Sequence, residues 1–120
     1  MANTLLIVDD SESIRELVSY NLTDAGYNII KAINGQDGLD KLNADVKLIV
    51  SDLNMPIMDG ITMIKHIRKD PEYKHLPIIM LTTESQQGIK NAARLAGATA
   101  WIVKPFDKEK LVRVIKKFVR

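Results

Sequence analysis

Four short apolar runs in this chain each end on residues able to handle charge. Asp9 and Asp10 follow Leu5–Val8, and Ser51 and Asp52 follow Leu48–Val50. Thr82 and Thr83 follow Ile78–Leu81, and Lys104 with Pro105 follows Trp101–Val103. Each pair alone is ordinary. An Asp-Asp step is commonly a turn or helix cap, and Ser11 or Ser13, the latter with Glu16 three residues on, could cap a helix equally well. Their joint occurrence is harder to explain. Clustered carboxylates repel one another, so a site gathering three of them needs a cation. With oxygen ligands and neither His nor Cys in the pattern, that cation is a hard ion, Mg²⁺ first and Mn²⁺ as a substitute. Such an ion with carboxylates, a hydroxyl and an ammonium is suited to stabilising charge on a transferring phosphoryl group. A Gly-rich nucleotide loop is missing, which argues against nucleotide binding. A carboxylate can itself act as the nucleophile and become an aspartyl phosphate. Asp52, flanked by the other carboxylates and Lys104, is the foremost acceptor.

The elements that position these residues are legible in the hydrophobic spacing. Leu5–Val8, Ile29–Ile33, Leu48–Val50, Ile78–Leu81 and Trp101–Val103 are too short for helices and rich in Ile and Val, so they are predicted strands buried on both faces. Ile14, Leu17, Val18, Leu22 and Ala25 form a helical stripe ended by Gly26. Ile61, Ile64 and Ile67 form another, stopped at Asp70-Pro71, and Leu111, Val112, Ile115, Phe118 and Val119 a third. Leu39 and Leu42 support a shorter helix after Gly35, while Ile89, Ala92, Ala93 and Ala96 give a weakly anchored one over 85–96. Five strand–helix units with doubly buried strands imply a parallel sheet covered by helices on each side, joined by right-handed crossovers. In such a sheet all the strand-end residues above lie at one end of the domain, where ligands bind.

The 120 residues are enough for one core and too few for two, so residues 1–120 are expected to form a single α/β domain without an output domain. A hydrophobic share of 46% with 27% charged residues is ordinary globular composition and argues against disorder. Cysteine is absent, which excludes disulfides and thiolate metal sites and suits a reducing cytoplasm. No run reaches the ~18 apolar residues of a membrane span, and Met1–Leu5 lacks the features of a signal peptide. The net charge of +2 conceals an asymmetry: residues 1–60 carry 4 Lys/Arg against 10 Asp/Glu, and residues 61–120 carry 13 against 5. The basic excess includes Lys108, Lys110, Arg113, Lys116, Lys117 and Arg120, either a solvated helix face or a docking patch for an acidic partner. Nucleic acid is disfavoured, because neither a binding motif nor an aromatic platform accompanies the charge.

With LLIVDD at 5–10, IVSDLNMPIMDG at 49–60, PIIMLTTE at 77–84 and WIVKPF at 101–106, the chain resembles the receiver domains of bacterial two-component response regulators. The likeness runs from Leu5 to the last helix. It implies a flavodoxin-like (βα)5 fold, a doubly wound three-layer α/β/α domain with strand order 2-1-3-4-5. It also makes Asp52 the phosphorylated residue, Asp10 a direct Mg²⁺ ligand and Asp9 a ligand through water, with the Asn54 carbonyl and Asp52 completing the protein's share. Lys104 would pair with the phosphoryl oxygens across a cis bond to Pro105. Thr82 would move its hydroxyl onto the phosphoryl group, and Trp101 would hold the family's aromatic switch position. Asn54 and Glu84 match the chemotaxis-type receivers that lose phosphate quickly.

The resemblance implies a switch that catalyses its own phosphorylation and dephosphorylation without being an enzyme in the ordinary sense. The expected partners are a chemotaxis-type histidine kinase, a flagellar motor switch protein reading the 85–119 face, and a phosphatase; a cytoplasmic monomer is expected. A phosphorelay intermediate, passing its phosphoryl group to a His on a phosphotransfer protein, is the alternative. A haloacid-dehalogenase-like phosphatase would want an Asp where Asn54 stands. A flavin-binding flavodoxin has no use for the acidic cluster.

Overall fold

The computed structural model describes residues 2–119; Met1, and Arg120 of the basic C-terminal set, lie outside the described residues. Strands β1 (Thr4–Val8), β2 (Asn28–Ala32), β3 (Val46–Ser51), β4 (Ile78–Thr82) and β5 (Ala100–Val103) alternate with helices α1 (Glu12–Asp24), α2 (Gly35–Lys41), α3 (Gly60–Lys69), α4 (Gln87–Ala96) and α5 (Lys108–Lys116). A 3-10 turn at Pro71–Tyr73 follows α3, where Pro71 cannot continue the helical hydrogen bonding. The strands form one sheet in the order β2-β1-β3-β4-β5. Every neighbouring pair is parallel, giving the flavodoxin-like arrangement expected.

Successive residues of a strand point to opposite faces, which explains the unbroken apolar runs. Leu5, Ile7, Leu48, Val50, Ile79, Leu81 and Ile102 meet Val18 and Leu22 of α1 and Leu111 and Ile115 of α5 on one side. Leu6, Val8, Ile49, Ile78 and Met80 meet Met63, Ile64 and Ile67 of α3 on the other, where Ile89 of α4 and Trp101 of β5 also pack. The two edge strands are the exceptions: Ile29 and Ile30 of β2 and Ala100, Trp101 and Val103 of β5 are only half-buried.

Three expectations change in detail. Ile33 falls outside β2 and is 52% exposed, because the strand ends at the buried Ala32. Leu17 is exposed: the α1 face that meets the sheet is Ile14, Val18 and Leu22. Phe118 lies beyond the end of α5 and is also exposed.

The helix starts differ in how firmly they are held. Ser11, Asn34, Asp59 and Asp107 each accept a backbone N–H from the first turn of α1, α2, α3 and α5. Helix α4 begins at Gln87, two residues after the expected start, behind an N-cap residue, Gln86, that makes no side-chain cap bond, and Ala93 is its one buried residue.

Candidate functional site

The chain leaves β1 in one direction toward β2 and returns to β3 on the other side. The carboxyl ends of β1 and β3 therefore flank the switch point, where a doubly wound sheet leaves a crevice. Asp9 stands at the end of β1, with its N–H on the Ala32 carbonyl at 3.1 Å and its own carbonyl held by Arg15 Nη1 at 2.7 Å. Asp52 stands at the end of β3, its N–H on the Val8 carbonyl at 2.9 Å. Lys104 leaves β5 with its N–H on the Thr82 carbonyl at 2.8 Å.

These anchors bring the side chains together. Lys104 Nζ donates to Asp9 Oδ2 at 3.1 Å and to Asp52 Oδ2 at 3.2 Å. The other oxygens take backbone donors: Ser11 N–H reaches Asp9 Oδ1 at 2.9 Å, and Leu53 N–H reaches Asp52 Oδ1 at 2.7 Å. Asp10 is exposed, yet Asp9, Asp10 and Asp52 each offer an oxygen within 4.8 Å of the others. Burial pushes the Asp9 carboxyl above the usual carboxylate range, and the Asp52 charge adds to it; the Ser11 N–H and Lys104 only partly offset the rise.

Three carboxylates against one ammonium leave two negative charges when all are ionised. The donors are oxygens alone, and a small inward shift from their spacing of at most 4.8 Å would bring them within the ~4.2 Å that ligands ~2.1 Å from one ion can span. The set fits a divalent hard cation.

The remaining expected residues form a second group beside the first. Thr82 is fully buried at the end of β4, and its Oγ1 accepts the Glu84 N–H at 3.3 Å. Glu84 turns its carboxylate onto the N–H groups of Ser85 and Gln86, while its carbonyl accepts the Trp101 indole N–H at 3.0 Å. Lys90 Nζ lies 6.0 Å from the centre of the Trp101 ring. Asn54 is exposed on the β3–α3 loop, and the Lys104–Pro105 peptide bond is cis.

Two supports escaped the sequence reading. Arg15 braces the Asp9 carbonyl, which its place in the first turn of α1 hints at only weakly. Gly60 lets α3 start against the end of β3: a Cβ there would sit 2.4 Å from the Asp52 carbonyl oxygen. The Asp-Gly step at 59–60 was visible, but its contact with Asp52 is not a local property.

Residues 5–116 match the model of the response regulator receiver domain. The chain belongs to the response regulator receiver family. Among curated receivers, it is 41% identical over 118 residues to chemotaxis protein CheY1 of Helicobacter pylori, covering 92% of this chain and 95% of that one. A CheY homolog of Campylobacter jejuni is 40% identical, with 92% and 91% covered. The solved receiver structure of Vibrio cholerae chemotaxis protein CheY4 superposes with a TM-score of 0.91 at 40% identity, over 99% of this chain and all of that one. Receiver domains act as signalling switches and bind Mg²⁺ at an acidic cluster, and the cluster here is Asp9, Asp10 and Asp52. No helix among the described residues is long and apolar enough to cross a membrane.

Proposed function

We propose that this receiver accepts a phosphoryl group on Asp52 from a histidine kinase, with Mg²⁺ bound, and signals through phosphorylation-dependent binding in chemotaxis. The observation that carries the reading is Lys104 Nζ within 3.2 Å of both Asp9 and Asp52, beside a third carboxylate. Asp10, Asp52 and the Asn54 carbonyl would hold the ion directly and Asp9 through water. Bound there, Mg²⁺ would supply positive charge to the oxygens of the transferring group. Asp52 provides the nucleophilic oxygen, and Lys104 exchanges its hydrogen bond to Asp52 for one to a phosphoryl oxygen.

The same geometry supports a route to the surface. A phosphoryl group on Asp52 brings ~1.5–2 negative charges and new acceptors. Thr82 turning its hydroxyl toward them would release the Glu84 N–H, and Glu84 carries the carbonyl that Trp101 holds. The β4–α4 loop and the uncapped α4 would shift with it. This is a change of population between two arrangements, read on the 85–119 face.

The chemotaxis assignment draws on relatives that carry that name. Asn54 and Glu84 favour a short phosphate lifetime, and a phosphatase would shorten it further. A flagellar motor-switch peptide, titrated calorimetrically with and without a small phosphodonor and Mg²⁺, should bind the phosphorylated form more tightly. Equal affinities would refute that output. A long-lived phosphate passed on to a phosphotransfer histidine would favour the phosphorelay reading.

A further inference from the structure

Ile57 has a φ of +68° and is the one non-glycine residue with positive φ among the described residues. Met58 N–H donates to the Pro56 carbonyl at 2.7 Å across it, closing a γ-turn. For a β-branched residue this conformation is a genuine outlier and costs stability. The Ile57 side chain gives the fold little in return, because it is 84% exposed. Gly or Asn would hold the same turn with less strain. A strained, exposed apolar side chain that its own protein hardly touches points to a use outside the chain.

Its location narrows that use. Gly60 N–H donates to the Leu53 carbonyl at 2.8 Å, so residues 54–59 form a short loop rooted next to Asp52. A loop of this length places its tip no more than ~10 Å from its root. The Met58 carbonyl accepts the Gly35 N–H at 3.0 Å, tying this loop to the one after β2. That second loop exposes Ile33, whose N–H is fixed on Asp37 Oδ2 at 3.0 Å. Two exposed isoleucines thus stand on joined loops at the rim of the acidic site. Asp59, two residues after Ile57, and Asp10 of the acidic cluster are exposed, so negative charge borders the apolar tip. The strand order sets this rim on the β2–β1–β3 part of the sheet, with β4 standing between it and β5.

We propose that Ile57, with Ile33 on the loop joined to its own, is a docking contact for the protein that donates the phosphoryl group; this rests on the phosphoacceptor reading of Asp52. A donor must bring its phosphohistidine to an Asp52 oxygen, and so covers the rim of the site. The N–P bond breaks as the O–P bond forms, and the freed imidazole nitrogen takes a proton from solvent. The complementary donor surface is apolar beside its phosphohistidine and basic around it. A partner reading residues 85–119 has no need of this side of the molecule, so Ile57 affects input and not output.

The test uses the purified, phosphorylated histidine domains of the sensor kinases from the same genome, taking the one that transfers fastest to the wild-type chain. Ile57→Gly lowers kcat/KM for that donor by about tenfold or more, the effect of losing one buried apolar side chain at a contact. Labelling by acetyl phosphate keeps its wild-type rate, and the urea midpoint does not fall. Ile57→Asn, also tolerant of positive φ, behaves as the Gly variant does, while Ile57→Leu restores transfer to within about twofold. Wild-type transfer to Ile57→Gly, an equal loss with acetyl phosphate, or a failure of every histidine domain to transfer would each overturn the proposal. A wild-type chain that acetyl phosphate cannot label brings down the phosphoacceptor reading itself.

Discussion

Replacing Lys104 by Met leaves two carboxylates facing each other with the ammonium gone from between them. The side chains of Asp9, Asp52 and Lys104 are 4%, 14% and 11% exposed, so water can do little to replace the lost charge. Removing one partner of a buried pair costs ~3–5 kcal/mol. The residual exposure of Asp52 and the ability of Asp9 to take a proton reduce this to ~2–3 kcal/mol. With a urea dependence of ~1.3 kcal/mol per molar, the unfolding midpoint should fall by ~2 M in metal-free buffer at pH 7. Asp9 is already more easily protonated in the folded chain than in the unfolded one, and losing Lys104 strengthens that preference. Protonation of Asp9 therefore relieves the damage. The deficit relative to wild type is full at neutral pH and shrinks as pH falls toward ~4, the ordinary Asp range. Millimolar Mg²⁺ should recover part of it by returning positive charge. Urea titrations of both proteins by far-UV circular dichroism at pH 7 and pH 4 measure each quantity. A midpoint change below ~0.4 M at pH 7, or an equal change at pH 4, would refute the reasoning.

Asp9→Asn removes a carboxyl whose raised pKa stabilises the fold below ~3.9 and no longer does so once pH has risen through the folded value. In chelator the variant should therefore be more stable than wild type at pH 7 and equal to it near pH 3.5, as read by thermal melts. Gly60→Ala drives a Cβ to 2.4 Å from the Asp52 carbonyl and 2.9 Å from Met80 Cε, so it should cost ~1–3 kcal/mol in urea unfolding despite the better helix propensity of Ala. Trp101→Phe keeps a ring but loses the indole bond to the Glu84 carbonyl, a loss of ~1 kcal/mol. Amide exchange over residues 84–90 should quicken by up to about fivefold, with the β1 amides unchanged.

The strands were readable because β1, β3 and β4 are buried on both faces, which leaves apolar runs that helices of that length would not produce. Asp9, Asp52 and Lys104 could be grouped because parallel strands must end on the same side. Side-chain selection within a stripe was less legible. Ile14, Leu17 and Val18 all suit a helical period, and only packing against β1 and α5 shows that Leu17 faces water. Ile33 continues the apolar run of β2, yet the chain turns after Ala32 to begin the loop that Asp37 holds. Glu84 illustrates a further limit. Its spacing from Thr82 was visible, but its carboxylate caps its own loop and its carbonyl meets Trp101, contacts that depend on where β5 lies. Nothing in Pro56-Ile57-Met58 signals a positive φ, and Ile is among the residue types least expected there.

Intact-mass spectrometry after incubation with acetyl phosphate and Mg²⁺ tests the central claim most directly. The account predicts one phosphoryl adduct on the wild-type chain, lost on chelation of the ion before labelling and missing from Asp52→Asn. An adduct that forms equally well on Asp52→Asn, or none on the wild-type chain, would contradict it.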